Sequence, residues 1–168
     1  MFSNSRKNPE LEGSLNLTVH TDADWSKTRS TSGGIIHLNG TLLQVWSRTQ
    51  NQTALSSCES EFYAIVTGVT EGMFIRSTLS ELQPRTVCQI RIHTDSSSAM
   101  QLAQRQGAGR VKHLNIRTLF VQDLVKEGIV TIWIGTQDNM SDIFTKYLSV
   151  GVFQRRCATL GIQVPRIN

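Results

Sequence analysis

The chain has 168 residues, enough for one domain with its own core, and a formal net charge of +4 that permits a polyanionic partner. No apolar run approaches the roughly 20 residues of a membrane span, and the polar N-terminus lacks a secretory signal. Three cysteines without metal-binding spacing predict reduced thiols in an intracellular protein. We expect a flexible segment or linker over 1–14 and one domain over 15–163.

The first predicted elements are strands. Residues 15–24 alternate apolar and polar side chains, which is the period of a half-buried strand. A Ser/Thr/Gly loop over 27–34 follows, and then a short apolar strand over 35–38. Asn39-Gly40 is typical of a tight hairpin turn, and a strand over 42–46 returns from it. These segments predict an antiparallel meander of three strands.

Helices and strands alternate in the rest of the chain. A 3.6-residue apolar stripe predicts a long helix over 57–82, and Ser56 and Glu59 have the spacing of a capping box. The order predicts an α/β fold, of mixed α+β type, with a five-stranded mixed sheet (three antiparallel then two parallel strands) flanked by helices. The later predicted elements are a strand ending at Asp95, a short helix to about Arg105, a helix over 112–126, a strand over 129–134, a helix from Asp138 to about Tyr147 and a helical tail over 150–160.

Four carboxylates fall at strand ends and early helix turns, positions that can converge on one edge of a sheet. Taken singly, Asp22 could form an Asx-turn and Asp95 could cap a helix. Two carboxylates 4 Å apart repel by about 4 kcal/mol at an effective dielectric near 20, so all four could stay ionised together only with cations. A set without His or Cys favours Mg²⁺ or Mn²⁺, and two such ions suit phosphodiester hydrolysis. The four residues are Asp22, Glu61, Asp95 and Asp142.

At these residues the chain resembles the ribonuclease H domain that ends the Pol polyprotein of copia-type LTR retrotransposons. The resemblance covers roughly residues 15–163, and its motifs are dense and occur in the family's order. The matching text is Asp22-Ala23-Asp24-Trp25, Arg29 to Gly34, Ala54 to Ser57 with Glu59, Glu61, Phe62 and Ala64, His93 to Ala99, Lys112-His113-Leu114, Asp138 to Lys146, and the tail Leu160-Gly161-Ile162.

The resemblance implies a ribonuclease H-like fold that cleaves the RNA strand of RNA–DNA hybrids during reverse transcription. It implies two Mg²⁺ ions, with Mn²⁺ as a substitute, and a reverse transcriptase polymerase domain in the same polyprotein. The family's catalytic and metal-binding carboxylates fall on Asp22, Glu61, Asp95 and Asp142, and Asp24 would support them from outside this set. Two departures are the lack of a His in the loop over 135–137 and the lack of a long basic protrusion at 107–111.

A nuclease without sequence specificity should contact the nucleic-acid backbone, where 2′-hydroxyl groups distinguish RNA from DNA. Two other function classes stay open: a DNA-cutting nuclease or strand transferase on the same fold, and a catalytically weak or domesticated module that binds hybrid without cutting it. The candidate substrate contacts are Arg29, Arg48, Asn51, Gln52, Ser96, Arg110, Lys112 and His113.

Overall fold

The computed structural model describes residues 14–105, 115–135 and 139–163, and within them five strands form one mixed sheet. The spatial order is β3-β2-β1-β4-β5. The β1/β2 and β2/β3 pairs are antiparallel, and the β1/β4 and β4/β5 pairs are parallel. This arrangement confirms the predicted fold class. The strands are β1 (Ser14–Asp24), β2 (Thr31–Leu38), β3 (Thr41–Thr49), β4 (Val87–Thr94) and β5 (Val130–Ile134).

The helices surround this sheet, and the longest begins and ends where the sequence predicts. Its N-cap is Ser56, whose Oγ accepts from the backbone N–H of Glu59, and the Glu59 carboxylate accepts in turn from the backbone N–H of Leu55 at 2.8 Å. Among the described residues, none of the helices is long and apolar enough to cross a bilayer. The helices are α1 (Ser57–Leu82), α2 (Ser97–Gln104), α3 (Asn115–Lys126), a 3₁₀ helix (Met140–Phe144) and α4 (Val150–Thr159).

The predicted helix from Asp138 to about Tyr147 is wrong. The chain forms only the short 3₁₀ helix there, and Asp138 lies outside the described residues. The reason is Asn139, whose side chain donates to the carbonyl of Thr21 at 2.9 Å and accepts from the backbone N–H of Ser141. These bonds fix a tight turn against β1, so tertiary contacts override the helical spacing.

One smaller prediction is also wrong. Residues 31–34 belong to β2 instead of a loop, because they pair with β1 on one side and β3 on the other. The alternative in which Asp95 caps α2 is not what the structure shows, because the N-cap is Ser96, whose Oγ accepts from the backbone N–H of Ala99. The predicted tail helix over 150–160 is confirmed as α4.

One face of the sheet packs against α1 and holds the core. Gly68 of α1 lies so close to β1 that an added Cβ would stand 2.6 Å from Thr21 and 3.1 Å from Val19. Val19 and Thr21 therefore face α1. Because side chains alternate along a strand, His20 and Asp22 lie on the opposite face. The 3₁₀ helix lies against this second face, where an added Cβ on Gly33 would stand 2.8 Å from Phe144 Cβ.

Three histidines gather on the second face. The His20 ring stacks on that of His93, with centroids 4.9 Å apart, and meets that of His37 edge-on at 6.0 Å. Burial, together with repulsion from His93 and His37, lowers the pKa of His20 to about 4. Burial also lowers the pKa of His37, and burial with repulsion from Arg91 lowers that of His93. All three imidazole rings are therefore neutral at physiological pH.

We expect the His20→Phe variant to lose less stability in acid than the parent chain loses. Between the folded pKa near 4 and the usual value near 6.5, the unfolded chain binds the extra proton. Stability therefore falls as pH falls through that window, and His20 contributes about 1–2 kcal/mol of the loss by pH 5. Urea unfolding at pH 7.5 and pH 5 measures the difference. The carboxylates titrate in both proteins, so their contribution cancels when the variant is compared with the parent. If the free energy of unfolding depended equally on pH in both proteins, the prediction would be contradicted.

Candidate metal centre

Three of the four predicted carboxylates converge at one end of the sheet. Each of Asp22, Asp95 and Asp142 offers one oxygen, and these oxygens all lie within 4.8 Å of one another. The parallel pairing of His20 with His93 explains why two of them are close. Asp22 follows His20 by two residues in β1, and Asp95 follows His93 by two residues, just after the end of β4. The third comes from the 3₁₀ helix, which crosses the second face of the sheet.

Glu61 approaches from the first turns of α1 and hydrogen-bonds to the backbone of Ala23. Its Oε2 is buried and has no hydrogen-bond partner among the described residues. Burial, with repulsion from Asp22 and Asp95, raises the pKa of Glu61 to about 8. This carboxyl is therefore largely protonated at neutral pH unless a positive charge joins the cluster.

The three converging carboxylates fit a hard divalent cation, and Glu61 lies near enough to interact electrostatically with Asp22 and Asp95. The orphaned Oε2 of Glu61 requires a partner, since an unsatisfied buried oxygen costs about 1–3 kcal/mol. All the donors are carboxylate oxygens, which suit Mg²⁺ or Mn²⁺. A cation at this position would neutralise the repulsion that raises the pKa of Glu61.

Two basic side chains already partner the cluster. The Lys146 Nζ lies 3.1 Å from Asp22 Oδ1 and 2.9 Å from Asp142 Oδ1. The Arg156 Nη1 lies 2.7 Å from Asp142 Oδ2 and also donates to the carbonyl of Asn139. Burial opposes ionisation of Asp142, but the hydrogen bonds and charges of these two bases outweigh it and lower the Asp142 pKa.

Asp22 is fully buried, and burial raises its pKa even though Thr145 and Lys146 both donate to it. Burial likewise opposes the charge on Lys146, but hydrogen bonds and attraction from Asp142 and Asp22 prevail and raise the Lys146 pKa. The ammonium group therefore stays charged across the physiological range.

The sequence predicted the carboxylates, three of which converge, but not the residues that pair with them. Lys146 follows Asp142 by four residues, a spacing that signals an ion pair on a helix. That signal was available in the sequence. Thr145 and Arg156 gave no such signal, because the Thr145 hydroxyl meets Asp22 across 123 positions and Arg156 reaches Asp142 from α4.

The other predicted site residues divide into four groups, the last of which lines a groove beside α1. Asp24 and Arg29 are exposed at or after the end of β1, and Asp24 is not one of the three carboxylates that converge. Ser96 lies beside Asp95, where it caps α2. The predictions for Arg110, Lys112 and His113 lie outside the described residues.

The three remaining candidate contacts line a groove of about 320 Å³ beside α1. Arg48 is paired there with Glu71 at 2.5 Å, and Asn51 is exposed at the groove. Gln52 accepts from Arg117, whose guanidinium lies 5.5 Å from the centroid of the Tyr63 ring. The groove thus combines amides, guanidinium groups and an aromatic ring, which can contact sugar and phosphate.

Comparisons with known proteins find similar sequences and similar folds. No protein-family model matches the chain. It is 30% identical over 154 residues to a retrovirus-related Pol polyprotein from transposon RE1 of Arabidopsis thaliana, covering 88% of this chain but only 10% of that relative's length. A second Arabidopsis thaliana Pol polyprotein, from transposon RE2, is 30% identical over 158 residues, which are 90% of this chain and 11% of the relative.

Among solved structures, the chain is similar to a ribonuclease H1, LC11, isolated from compost. The TM-score is 0.60 at 12% identity, over 77% of this chain and 92% of that one. The same protein in complex with an RNA/DNA hybrid gives a TM-score of 0.53 at 15% identity, over 78% and 93% of the two chains. At sequence identities this low, the structural similarity shows a shared fold and nothing further.

Proposed function

We propose that this chain, which has a ribonuclease H fold and is similar to retrotransposon Pol polyproteins, hydrolyses the RNA strand of RNA–DNA hybrids with divalent metal ions. The observation that carries the proposal is the convergence of the Asp22, Asp95 and Asp142 oxygens within 4.8 Å. The Oε2 atom of Glu61 supports it, because this buried oxygen is a fourth possible ligand and has no partner within the described part of the chain.

We assign the catalytic and metal-binding role to these four carboxylates. Bound Mg²⁺ or Mn²⁺ ions, two per site, would neutralise charge on the scissile phosphate and favour attack by water. The protein's own contribution is positioning: Thr145 donates to Asp22, and Arg156 holds Asp142. Glu61 releases its proton when the positive charge of the site increases. Hydrolysis by water leaves a 3′-hydroxyl and a 5′-phosphate.

The substrate assignment rests on the ribonuclease H1 that was solved with an RNA/DNA hybrid. We propose that this chain binds the same class of duplex through its backbone, with the groove at Arg48, Asn51 and Gln52 as one contact surface. In the related Pol polyproteins the matching segment is about a tenth of the chain. We therefore propose a reverse transcriptase polymerase domain in the same polyprotein as the partner. We also propose that the protein has an intracellular location.

We expect the domain to cut a labelled RNA–DNA hybrid with Mg²⁺ or Mn²⁺ and to show no cutting in EDTA. The products should carry 3′-hydroxyl and 5′-phosphate ends, because water attacks instead of the substrate's 2′-hydroxyl. Gel analysis of end-labelled hybrid, duplex DNA and duplex RNA of one sequence measures both activity and substrate class.

The controls separate the alternative functions. Cutting that persists in EDTA, or 2′,3′-cyclic phosphate ends, would contradict metal-dependent hydrolysis by water. Equal cutting of duplex DNA would identify a DNA-directed nuclease on the same fold. Binding of hybrid without cutting in either metal would identify a hybrid-binding module. A preparation of Asp95→Asn, purified identically, excludes a contaminating nuclease.

A further inference from the structure

We propose that Lys146 is an internal counter-ion that a metal ion must displace, so that this side chain sets the metal affinity of the carboxylate cluster. The inference deepens the proposed function and rests on it in one respect, namely that the cluster binds divalent cations.

The first observation is where the ammonium group lies. Lys146 Nζ is 3.1 Å from Asp22 Oδ1 and 2.9 Å from Asp142 Oδ1, so it bridges two of the three converging carboxylates. A Mg²⁺ ion bound by the same oxygens would lie about 2.0–2.1 Å from each. Two positive charges facing the same oxygens at such distances repel and compete for the same lone pairs. The ammonium and a metal ion are therefore alternative occupants.

The second observation is that Lys146 can leave, whereas the other base is held. The Lys146 side chain is 41% exposed, and that of Arg156 is only 11% exposed. Arg156 also donates to the carbonyl of Asn139, so it stays at Asp142. The backbone N–H of Lys146 bonds to the carbonyl of Asp142 at 2.9 Å. The backbone can keep its position while the flexible four-carbon stem rotates the ammonium into solvent.

The consequence is a measurable cost of metal binding. Displacement breaks two ion pairs, and the cation enters a cluster whose charge the lysine had partly neutralised. Lys146→Met removes the competitor and one positive charge while keeping most of the stem. We expect the Kd for Mn²⁺ to fall about tenfold, which corresponds to about 1.4 kcal/mol. If Lys146 only held Asp22 and Asp142 in place, the same variant would bind Mn²⁺ more weakly.

The experiment is titration calorimetry with MnCl₂ and MgCl₂ on the parent chain, Lys146→Met and Lys146→Arg, with circular dichroism to verify folding. Lys146→Arg keeps the positive charge beside the carboxylates and should not bind Mn²⁺ more tightly than the parent. Lys126→Met, at an exposed lysine in the last turn of α3, is the matched control and should not change the Kd. An unchanged or weaker Kd in Lys146→Met would overturn the inference. Absence of metal binding by the folded parent would instead overturn the proposed function.

A measurement on the parent chain keeps the inference testable if Lys146→Met does not fold. With ¹⁵N-labelled lysine, the Lys146 ammonium protons should exchange slowly with water in EDTA, because two carboxylates accept from them. Saturating Mg²⁺ should make their exchange as fast as that of solvent-exposed lysines. A Lys146 signal that stays protected in saturating Mg²⁺ would show that the lysine is not displaced.

Discussion

Asp95→Asn is expected to reduce hybrid cleavage by roughly 1000-fold or more while leaving the metal-free protein at least as stable as the parent. Loss of residues that merely support metal ligands costs about 10–100-fold, and Asp95 would be a ligand itself. Asp95 is exposed, and Ser96 caps α2 in its place, so the substitution removes no helix cap. Its charge helps to raise the pKa of Glu61, so removing it relieves repulsion in the cluster.

Single-turnover cleavage of labelled hybrid and thermal unfolding in EDTA measure the two halves of this prediction. Asp123→Asn is the matched control, because Asp123 is an exposed aspartate on α3 away from the cluster. It should keep parental activity. Retained cleavage in Asp95→Asn would remove Asp95 from the metal-binding set. A large loss of stability in EDTA would show that Asp95 has a structural role that its exposed position does not reveal.

Local sequence signals predicted most of the fold because they matched the tertiary structure. The α1 helix has both an apolar stripe and a Ser cap, and its observed bounds are those predicted. The hairpin followed from Asn39-Gly40, where both residues have positive φ, 48° and 84°. The helix predicted to begin at Asp138 did not form because the bonds from Asn139 to Thr21 and Ser141 fix a tight turn instead. The bond to Thr21 depends on the position of β1, so it cannot be predicted from the local sequence pattern.

The candidate site was only half predictable for the same reason. Carboxylates at strand ends could be placed together because parallel strands β1 and β4 align their ends. The role of Thr145 and Arg156 depends on how closely the 3₁₀ helix and α4 approach the sheet. No local pattern gives that distance. It is set by packing, and the most informative residue there is a glycine.

Gly33 controls how closely the 3₁₀ helix lies to the carboxylates. It pairs with Asp22 in the β1/β2 ladder and lies on the second face of the sheet. An added Cβ would stand 2.7 Å from Thr145 Cγ2, 2.8 Å from Phe144 Cβ and 3.2 Å from the Phe144 carbonyl carbon. The two contacts under 3 Å cannot be tolerated, and Phe144 Cβ is bonded directly to the backbone, so the segment must move.

Gly33→Ala is therefore expected to separate Asp142 from Asp22 and to lower both Mn²⁺ affinity and hybrid cleavage by about 10–100-fold, the range for residues that support metal ligands. The stability cost should be about 1–3 kcal/mol, as for overpacked cores. Calorimetry with Mn²⁺, single-turnover cleavage and urea unfolding measure the three effects.

Two other glycines make this test specific. Gly151 in α4 has no atom within 4 Å of an added Cβ, so Gly151→Ala should keep activity and gain up to about 1 kcal/mol from helix propensity. Gly34 is covered from the α1 side by Trp46, whose ring would stand 2.0 Å from an added Cβ. Gly34→Ala should therefore destabilise the core by more than Gly33→Ala does. If Gly33→Ala left Mn²⁺ affinity unchanged, the 3₁₀ helix would tolerate displacement without moving Asp142, and the close approach at Gly33 would serve packing alone.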